Sequence, residues 1–381
     1  MKNFSIERAK VTSLISALFF FALGFNVLFL YLPLLIIHIV FNIRYFLDIK
    51  ITKSYFILSC LLFSALFFCF LIGYKNLYNG FKYQTIVVLI ISGFYAGYIL
   101  QKEYLSEQFK LFFYYVFGFW LKALIVVIYS YFTDATLYGY GLLLDPLTGS
   151  ELNSPAISNS ISLCASFFIL ILIIKPLKKS TQALLFTCVV FSIAGGIFLG
   201  GRTFFIVVLL GVLFALYYKR KFKLLIQISF VLITVLITIF NHDPLREKFN
   251  FVLERFDSGL SSSRFDHYLS ALQRIPYYPL GGFKVDRSIE NTHWFHNLFF
   301  DVASVGGWIP LITFIIYFMY VVFAFLLRNK KNSDIKIGFI VFCLCFFILM
   351  QDVVLEGNYQ LLIVSFFSGL LSLKFNKEKC L

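Results

Sequence analysis

Three ionisable side chains have the chemistry needed to bind a phosphate group and to move a proton. Arg202 follows two glycines, Arg264 follows three serines, and His296 precedes Asn297. A planar guanidinium matches the oxygens of a phosphate, whereas an imidazole can accept a proton from a hydroxyl near neutral pH. These residue types are therefore the candidates for catalysis.

Arg202 opens the apolar segment of GGRTFFIVVLLG. A helix that begins here would point its free N–H groups and the positive end of its dipole outward. Gly200 and Gly201 would let a ligand approach the backbone closely. The pattern favours an anion site at the end of a membrane span. The alternative is an interfacial anchor, a common role for a single arginine at such a position.

Arg264 lies in LSSSRFDHYLSALQRIP, which predicts a short helix. Ser263 would cap its start, with Asp266 three residues on, and Pro276 would end it. Spacings of 4, 4 and 3 place four residues on one predicted face: Arg264, Tyr268, Leu272 and Ile275. The segment predicts a second outward-facing arginine at a helix start, beside apolar residues that could lie along the membrane. The alternative is a solvated arginine on an amphipathic helix.

His296 lies in NTHWFHNLFFD, just before the chain becomes apolar again. We expect it to act as a base or to orient a sugar hydroxyl, with Asn297 holding the hydroxyl or the ring. Trp294 could stack on a sugar face or anchor the loop. His293 is an alternative base, and a structural role for either histidine stays open.

Lys122 is an ionisable residue inside an apolar segment, GFWLKALIVV. A charge at this depth usually faces a protein interior or a wet cavity, where it could contact substrate. Lys122 could instead extend toward the membrane surface or pair with a neighbouring helix.

The amino-acid composition indicates whether these residues belong to a soluble protein or to a membrane protein. Of 381 residues, 60% are hydrophobic and only 14% are charged, whereas soluble proteins have about a quarter charged residues. The sequence thus excludes a soluble globular protein. The net charge of +14 is explained by cytoplasmic loops rather than by nucleic-acid binding.

Apolar stretches of about 17–25 residues predict twelve membrane-spanning helices. Val11–Phe41 is too long for one helix and is divided at Gly24–Asn26. The other predicted spans are Tyr55–Gly73, Gln84–Leu100, Leu111–Phe132, Ala156–Ile174, Gln182–Leu199, Thr203–Tyr218, Phe222–Phe240, Gly307–Leu327, Ile335–Met350 and Asn358–Leu373.

The basic residues alternate between successive loops. With the N-terminus inside, the short outer loops hold only Lys75, Lys82 and Arg202. The positive-inside rule then places both termini in the cytoplasm. We expect a nine-span region over 1–240, a large periplasmic catalytic loop over 241–306 and a three-span region over 307–381.

Three motifs in this order resemble the O-antigen polymerase and O-antigen ligase superfamily: GGRTFF, SSSRFDHYLSALQRIPYYPLGGF and WFHNLFFDVASVGGW. The resemblance implies the helical membrane glycosyltransferase architecture called GT-C. It also implies catalysis by Arg202, Arg264 and His296 without a metal or cofactor. Many members have tryptophan four residues after the loop arginine, where this chain has Tyr268. We assign Tyr268, Asn297, Trp294 and Lys122 to substrate binding.

The resemblance implies an enzyme of the bacterial inner membrane whose donor and acceptor are oligosaccharides on undecaprenyl diphosphate. Its expected partners are membrane lipids, a chain-length regulator and a flippase, and no nucleic acid. The compact loop with HNLFFD favours a polymerase of repeat units. The alternatives are a ligase that transfers the glycan to lipid A–core and, in another class, a polysaccharide flippase or transporter. The sequence has no internal repeat of the kind that is common in transporters.

Overall fold

A computed structural model describes residues 2–46, 51–74, 83–133, 141–219, 264–286, 293–328, 331–355 and 357–374. The predicted ninth span, Phe222–Phe240, lies outside these residues, as do His242 and the predicted cap Ser263. The described chain is a helical membrane protein. Its first eight helices are α1 (Lys2–Phe25), α2 (Leu28–Phe46), α3 (Lys53–Gly73), α4 (Tyr83–Lys102), α5 (Leu105–Phe132), α6 (Ser154–Ile174), α7 (Lys179–Leu199) and α8 (Arg202–Tyr218).

The helices after residue 263 include two short ones and three long apolar ones. In chain order they are α9 (Arg264–Arg274), α10 (Leu298–Gly306), α11 (Trp308–Leu327), α12 (Ser333–Leu349) and α13 (Tyr359–Leu373). Eleven of the twelve predicted spans therefore lie on helices. Among the described helices, five are long and apolar enough to cross a membrane: α3, α5, α6, α7 and α11.

The predicted break in the first apolar stretch is confirmed. α1 ends at Phe25 and α2 begins at Leu28. Between them, Asn26 has a φ of 56°, a left-handed conformation that asparagine tolerates better than most residues. Its N–H still donates to Ala22 O at 3.1 Å, so this carbonyl in the last turn of α1 has a hydrogen-bond partner.

Helices α6 and α13 form the centre of the bundle. Every residue of α13 is buried, as is the continuous stretch of α6 from Ile157 to Ile171. α6 packs against α5, α7, α8 and α12, while α13 packs against α3, α4, α5, α11 and α12. By contrast, α11 exposes an apolar face that includes Ile309, Ile312 and Ile316, as expected for a surface in contact with lipid.

Close packing of α1 on α5 depends on glycines on both helices. A β-carbon at Gly24 would clash with the carbonyl oxygen of Tyr115, and one at Gly118 would clash with that of Phe21. Small residues let two apolar helices approach to backbone distance, which strengthens dispersion contacts where no hydrophobic effect drives association.

A small antiparallel hairpin joins α5 to α6, where the sequence predicted an outer loop without strands. β1 (Leu142–Leu144) pairs with β2 (Glu151–Asn153), with Leu143 opposite Leu152. Leu143 is fully buried in a cluster with Leu199 and Phe204, which flank the turn before α8. The hairpin thus supports the turn that carries Arg202.

Hydrogen bonds and close packing hold the start of α11 against the loop that follows α9. Trp308 N–H donates to Pro279 O at 2.9 Å, and Gly282 N–H donates to Ser304 O at 2.6 Å. Gly307, with φ 77°, stands so close to Pro279 O that a β-carbon would clash with it. Only glycine meets both requirements at this position. These contacts fix the position of α9 relative to α10 and α11.

Candidate functional site

The candidate site forms where α9, the start of α10 and the end of α12 meet. The Tyr268 hydroxyl on α9 contacts the carbonyl oxygens of His296 at 3.3 Å and Met350 at 3.4 Å. The Tyr268 ring also packs on Phe300, with 5.3 Å between ring centroids. Tyr268 therefore joins three segments that are far apart in the sequence, and burial raises its pKa above the ordinary tyrosine value.

Asn297 is the N-cap of α10. Its side-chain oxygen accepts from the N–H groups of Phe299 at 3.1 Å and Phe300 at 3.4 Å, which satisfies two free donors of the helix start. Its amide nitrogen donates to Met350 O at 3.4 Å. Asn297 is buried, so the structure gives it a positioning role, and its contact with substrate stays a prediction.

His296 adopts a left-handed backbone conformation with a φ of 55°. Such conformations are uncommon outside glycine and are concentrated at functional sites and tight turns. The residue is half-buried, and its carbonyl is held by Tyr268. Tyr268 and the adjacent cap Asn297 together support the backbone that presents the imidazole.

Arg264, the first described residue of α9, is half-buried beside the loop that follows α12. Its Nη1 donates to Gln351 O at 3.5 Å, and its positive charge acts on the Asp352 carboxylate. Asp352 is 5% exposed and accepts from Asn358 Nδ2 at 2.9 Å. Arg264 and Asp352 thus interact electrostatically at this end of the bundle.

Burial raises the pKa of Asp352 above its ordinary value, against opposing contributions from Asn159, Asn358, the Val353 N–H and Arg264. The sequence analysis did not single out Asp352 or its relation to Arg264. The available signal was its position in a short polar loop, QDVVLEGN, between two apolar segments.

Arg202 begins α8, as the sequence predicted. The residue before it, Gly201, lies against Ser158 of α6 so closely that a β-carbon would clash with the serine hydroxyl. The next residue of α6, Asn159, hydrogen-bonds to Asp352. The outer end of α6 therefore connects the turn carrying Arg202 to the carboxylate facing Arg264, and both arginines lie at one end of the bundle.

Ser158 adds a polar group at this connection. The side chain is 1% exposed, and its hydroxyl has no hydrogen-bond partner among the residues that the structure describes. The N-cap residue of α8 is Gly201, which has no side chain with which to cap the helix. A free hydroxyl and the first N–H groups of α8 together favour an anion near Arg202.

The remaining predicted residues are placed differently. Trp294 is 6% exposed and packs in the main core, so its ring is held by protein on most of its surface. His293 is exposed, and His267 on α9 is buried. Of the sequence-predicted face of α9, Arg264, Tyr268 and Ile275 are half-buried, but Leu272 is exposed. The residues of α9 that pack into the protein are His267 and Ala271, so the exposure of Leu272 agrees with an apolar side chain that could lie along the membrane.

Lys122 forms an ion pair with Asp145 of the hairpin region. Its ammonium lies 2.6 Å from both carboxylate oxygens, and both side chains are nearly inaccessible. Burial raises the pKa of Asp145, but hydrogen bonds from Lys122, Thr148 and the Leu147 N–H outweigh it and hold the pKa below its ordinary value. The pair anchors the hairpin to α5. A contact of Lys122 with substrate stays a prediction.

Comparisons with known proteins add no family to this description. No protein-family model and no curated protein sequence matches the chain. The functional conclusion therefore rests on the arrangement of Arg202, Arg264 and His296 and on the motif resemblance. The structure itself describes a helical membrane protein with a polar site that contains two arginines at one end of its bundle.

Proposed function

We propose that this protein is a metal-independent membrane glycosyltransferase that joins undecaprenyl-diphosphate-linked oligosaccharide repeat units, an O-antigen polymerase. The observation that carries the proposal is the gathering of Arg264, Tyr268 and His296 beside Asp352, with Arg202 linked to them through the outer end of α6. These residues offer two guanidinium groups and an imidazole at one end of a lipid-facing bundle.

The reaction follows from these groups. The acceptor hydroxyl oxygen forms a bond to the anomeric carbon of the donor's first sugar, while the bond from that carbon to the diphosphate oxygen breaks. The diphosphate lipid leaves with the electron pair, and Arg202 and Arg264 stabilise its developing charge. His296 orients the hydroxyl and takes its proton. Asp352 orients Arg264.

The cellular setting belongs to the same proposal. The site end faces the periplasm of a bacterial inner membrane, both termini are cytoplasmic, and twelve spans adopt a GT-C-type architecture. The alternation of basic residues supports this orientation. Donor and acceptor are both lipid-linked, a flippase supplies them, and a chain-length regulator acts with the enzyme.

Deleting the protein in its host should leave one repeat unit on the lipid A–core, because donor synthesis, flipping and ligation are carried out by other proteins. A gel of the surface glycolipid should show a single short band in place of a ladder. A complementing Arg202→Ala allele should give the same band. Arg274→Ala should restore the ladder, since Arg274 donates to the Lys284 carbonyl on the exposed side of α9.

A bare core with long glycan on undecaprenyl diphosphate would identify the ligase alternative instead. A normal ladder in the deletion strain would reject both transferases. If Arg202→Ala alone restored the ladder at normal protein level, the reaction would not depend on the proposed anion site.

Arg264→Lys should lower the transfer rate by about 10- to 100-fold, although it keeps the positive charge. An ammonium cannot supply the two parallel donors of the guanidinium, and one lost hydrogen bond to a charged group has about this effect. The rate is measured with purified protein and lipid-linked substrate. Arg274→Lys on the same helix is the matched control and should keep the wild-type rate. Equal rates for Arg264→Lys and wild type would show that Arg264 acts only through its positive charge.

A further inference from the structure

Helix α9 has three different faces, which the sequence pattern alone did not separate. The buried face includes His267 and Ala271. The second face is apolar yet exposed within the described part of the chain: Phe265 is 65% exposed, Leu269 57% and Leu272 56%. The third face is polar and comprises Asp266, Ser270 and Gln273. At 100° per residue, the apolar face lies between the buried and the polar face.

These three faces match the three surroundings of a helix that lies at a membrane surface. The protein lies on one side, the lipid tails below and water above. A helix that only covered the protein from water would carry polar residues along its whole exposed side. Three large apolar side chains at spacings of 4 and 3 residues form a continuous patch instead, and such patches mark interaction sites.

The position of α9 relative to α11 identifies lipid as the occupant. Trp308, the first residue of α11, donates from its indole nitrogen to Ile275 O at 2.8 Å, directly after α9. Trp308 is itself 42% exposed, and the adjacent Ile309 is 48% exposed on the apolar surface of a helix long enough to span a membrane. Tryptophan concentrates at the boundary between headgroups and tails. The end of α9 is therefore fixed at that boundary.

We propose that α9 lies in the outer interface of the bilayer, with Phe265, Leu269 and Leu272 inserted among lipid tails and Gln273 in water. Exposed apolar residues continue beyond the helix, where Tyr277 is 82% and Leu280 65% exposed. One consequence rests on the proposed function: Arg264, next to Phe265, then lies at headgroup level, where the diphosphate of a lipid-linked donor is found.

The test places an environment-sensitive fluorescent amino acid at position 269 or at position 273 of the full chain. Each variant is reconstituted into vesicles of phosphatidylethanolamine and phosphatidylglycerol. At position 269, lipids spin-labelled on the tail should quench the fluorescence strongly, and aqueous iodide should quench it weakly. Position 273 is the matched control on the same helix and should show the opposite order.

Two outcomes would overturn the proposal. Equal iodide quenching at both positions would place the apolar face in water. Protection of position 269 from both quenchers would mean that protein covers it. Circular dichroism of each variant in vesicles confirms that the helices are retained. Because the readout is contact with lipid, it is independent of glycan transfer, and either proposal can fail without the other.

Discussion

Removing the imidazole of His296 should reduce glycan transfer by about 10²- to 10⁴-fold, the usual contribution of a general base. His296→Asn is the preferred change because asparagine tolerates the left-handed conformation that this position has, with its φ of 55°. Alanine would add backbone strain to the chemical loss. The measurement is the single-turnover rate with purified enzyme and saturating lipid-linked donor, so that donor binding does not limit the result.

His293→Asn is the matched control for this experiment. His293 lies three residues earlier in the same loop and is exposed, whereas the carbonyl of His296 is held by Tyr268. We expect the His293 variant to retain most of the wild-type rate. A larger loss in the His293 variant would assign the base to His293. Equal, small losses would show that catalysis depends on neither histidine.

Lys122→Met should destabilise the protein by about 3–5 kcal/mol, because it leaves the Asp145 carboxylate buried without its counter-charge. Asp145 is 3% exposed, so water cannot replace the lysine without opening the hairpin. The midpoint of chemical unfolding in detergent, followed by the fluorescence of the three tryptophans, measures the change. Methionine keeps a similar length and apolar stem, which limits the packing loss.

The double variant Lys122→Met with Asp145→Asn provides the control. It removes both charges but keeps a side-chain oxygen that can accept from the Leu147 N–H, now at 3.0 Å. Its stability should lie closer to wild type than that of Lys122→Met alone. A Lys122→Met variant as stable as wild type would show that the pair contributes nothing. A double variant as unstable as the single one would assign the loss to packing.

The amino-acid sequence by itself determined the features that depend on neighbouring residues. Apolar length placed helices at eleven predicted spans, and Asn26 marked the break between the first two. Pro276 predicted the end of α9, which stops at Arg274 before a short 3-10 turn. These predictions succeed because helix length, breaks and proline effects depend on residues within one or two turns.

Tertiary structure decided which of these elements meet, since contacts between distant segments have no local signature. Tyr268 reaches Met350, Asn159 reaches Asp352, and Lys122 finds its partner in a hairpin that periodicity did not indicate. The surroundings of α9 also depend on tertiary structure, because an amphipathic pattern shows where the apolar residues lie but not whether protein or lipid covers them.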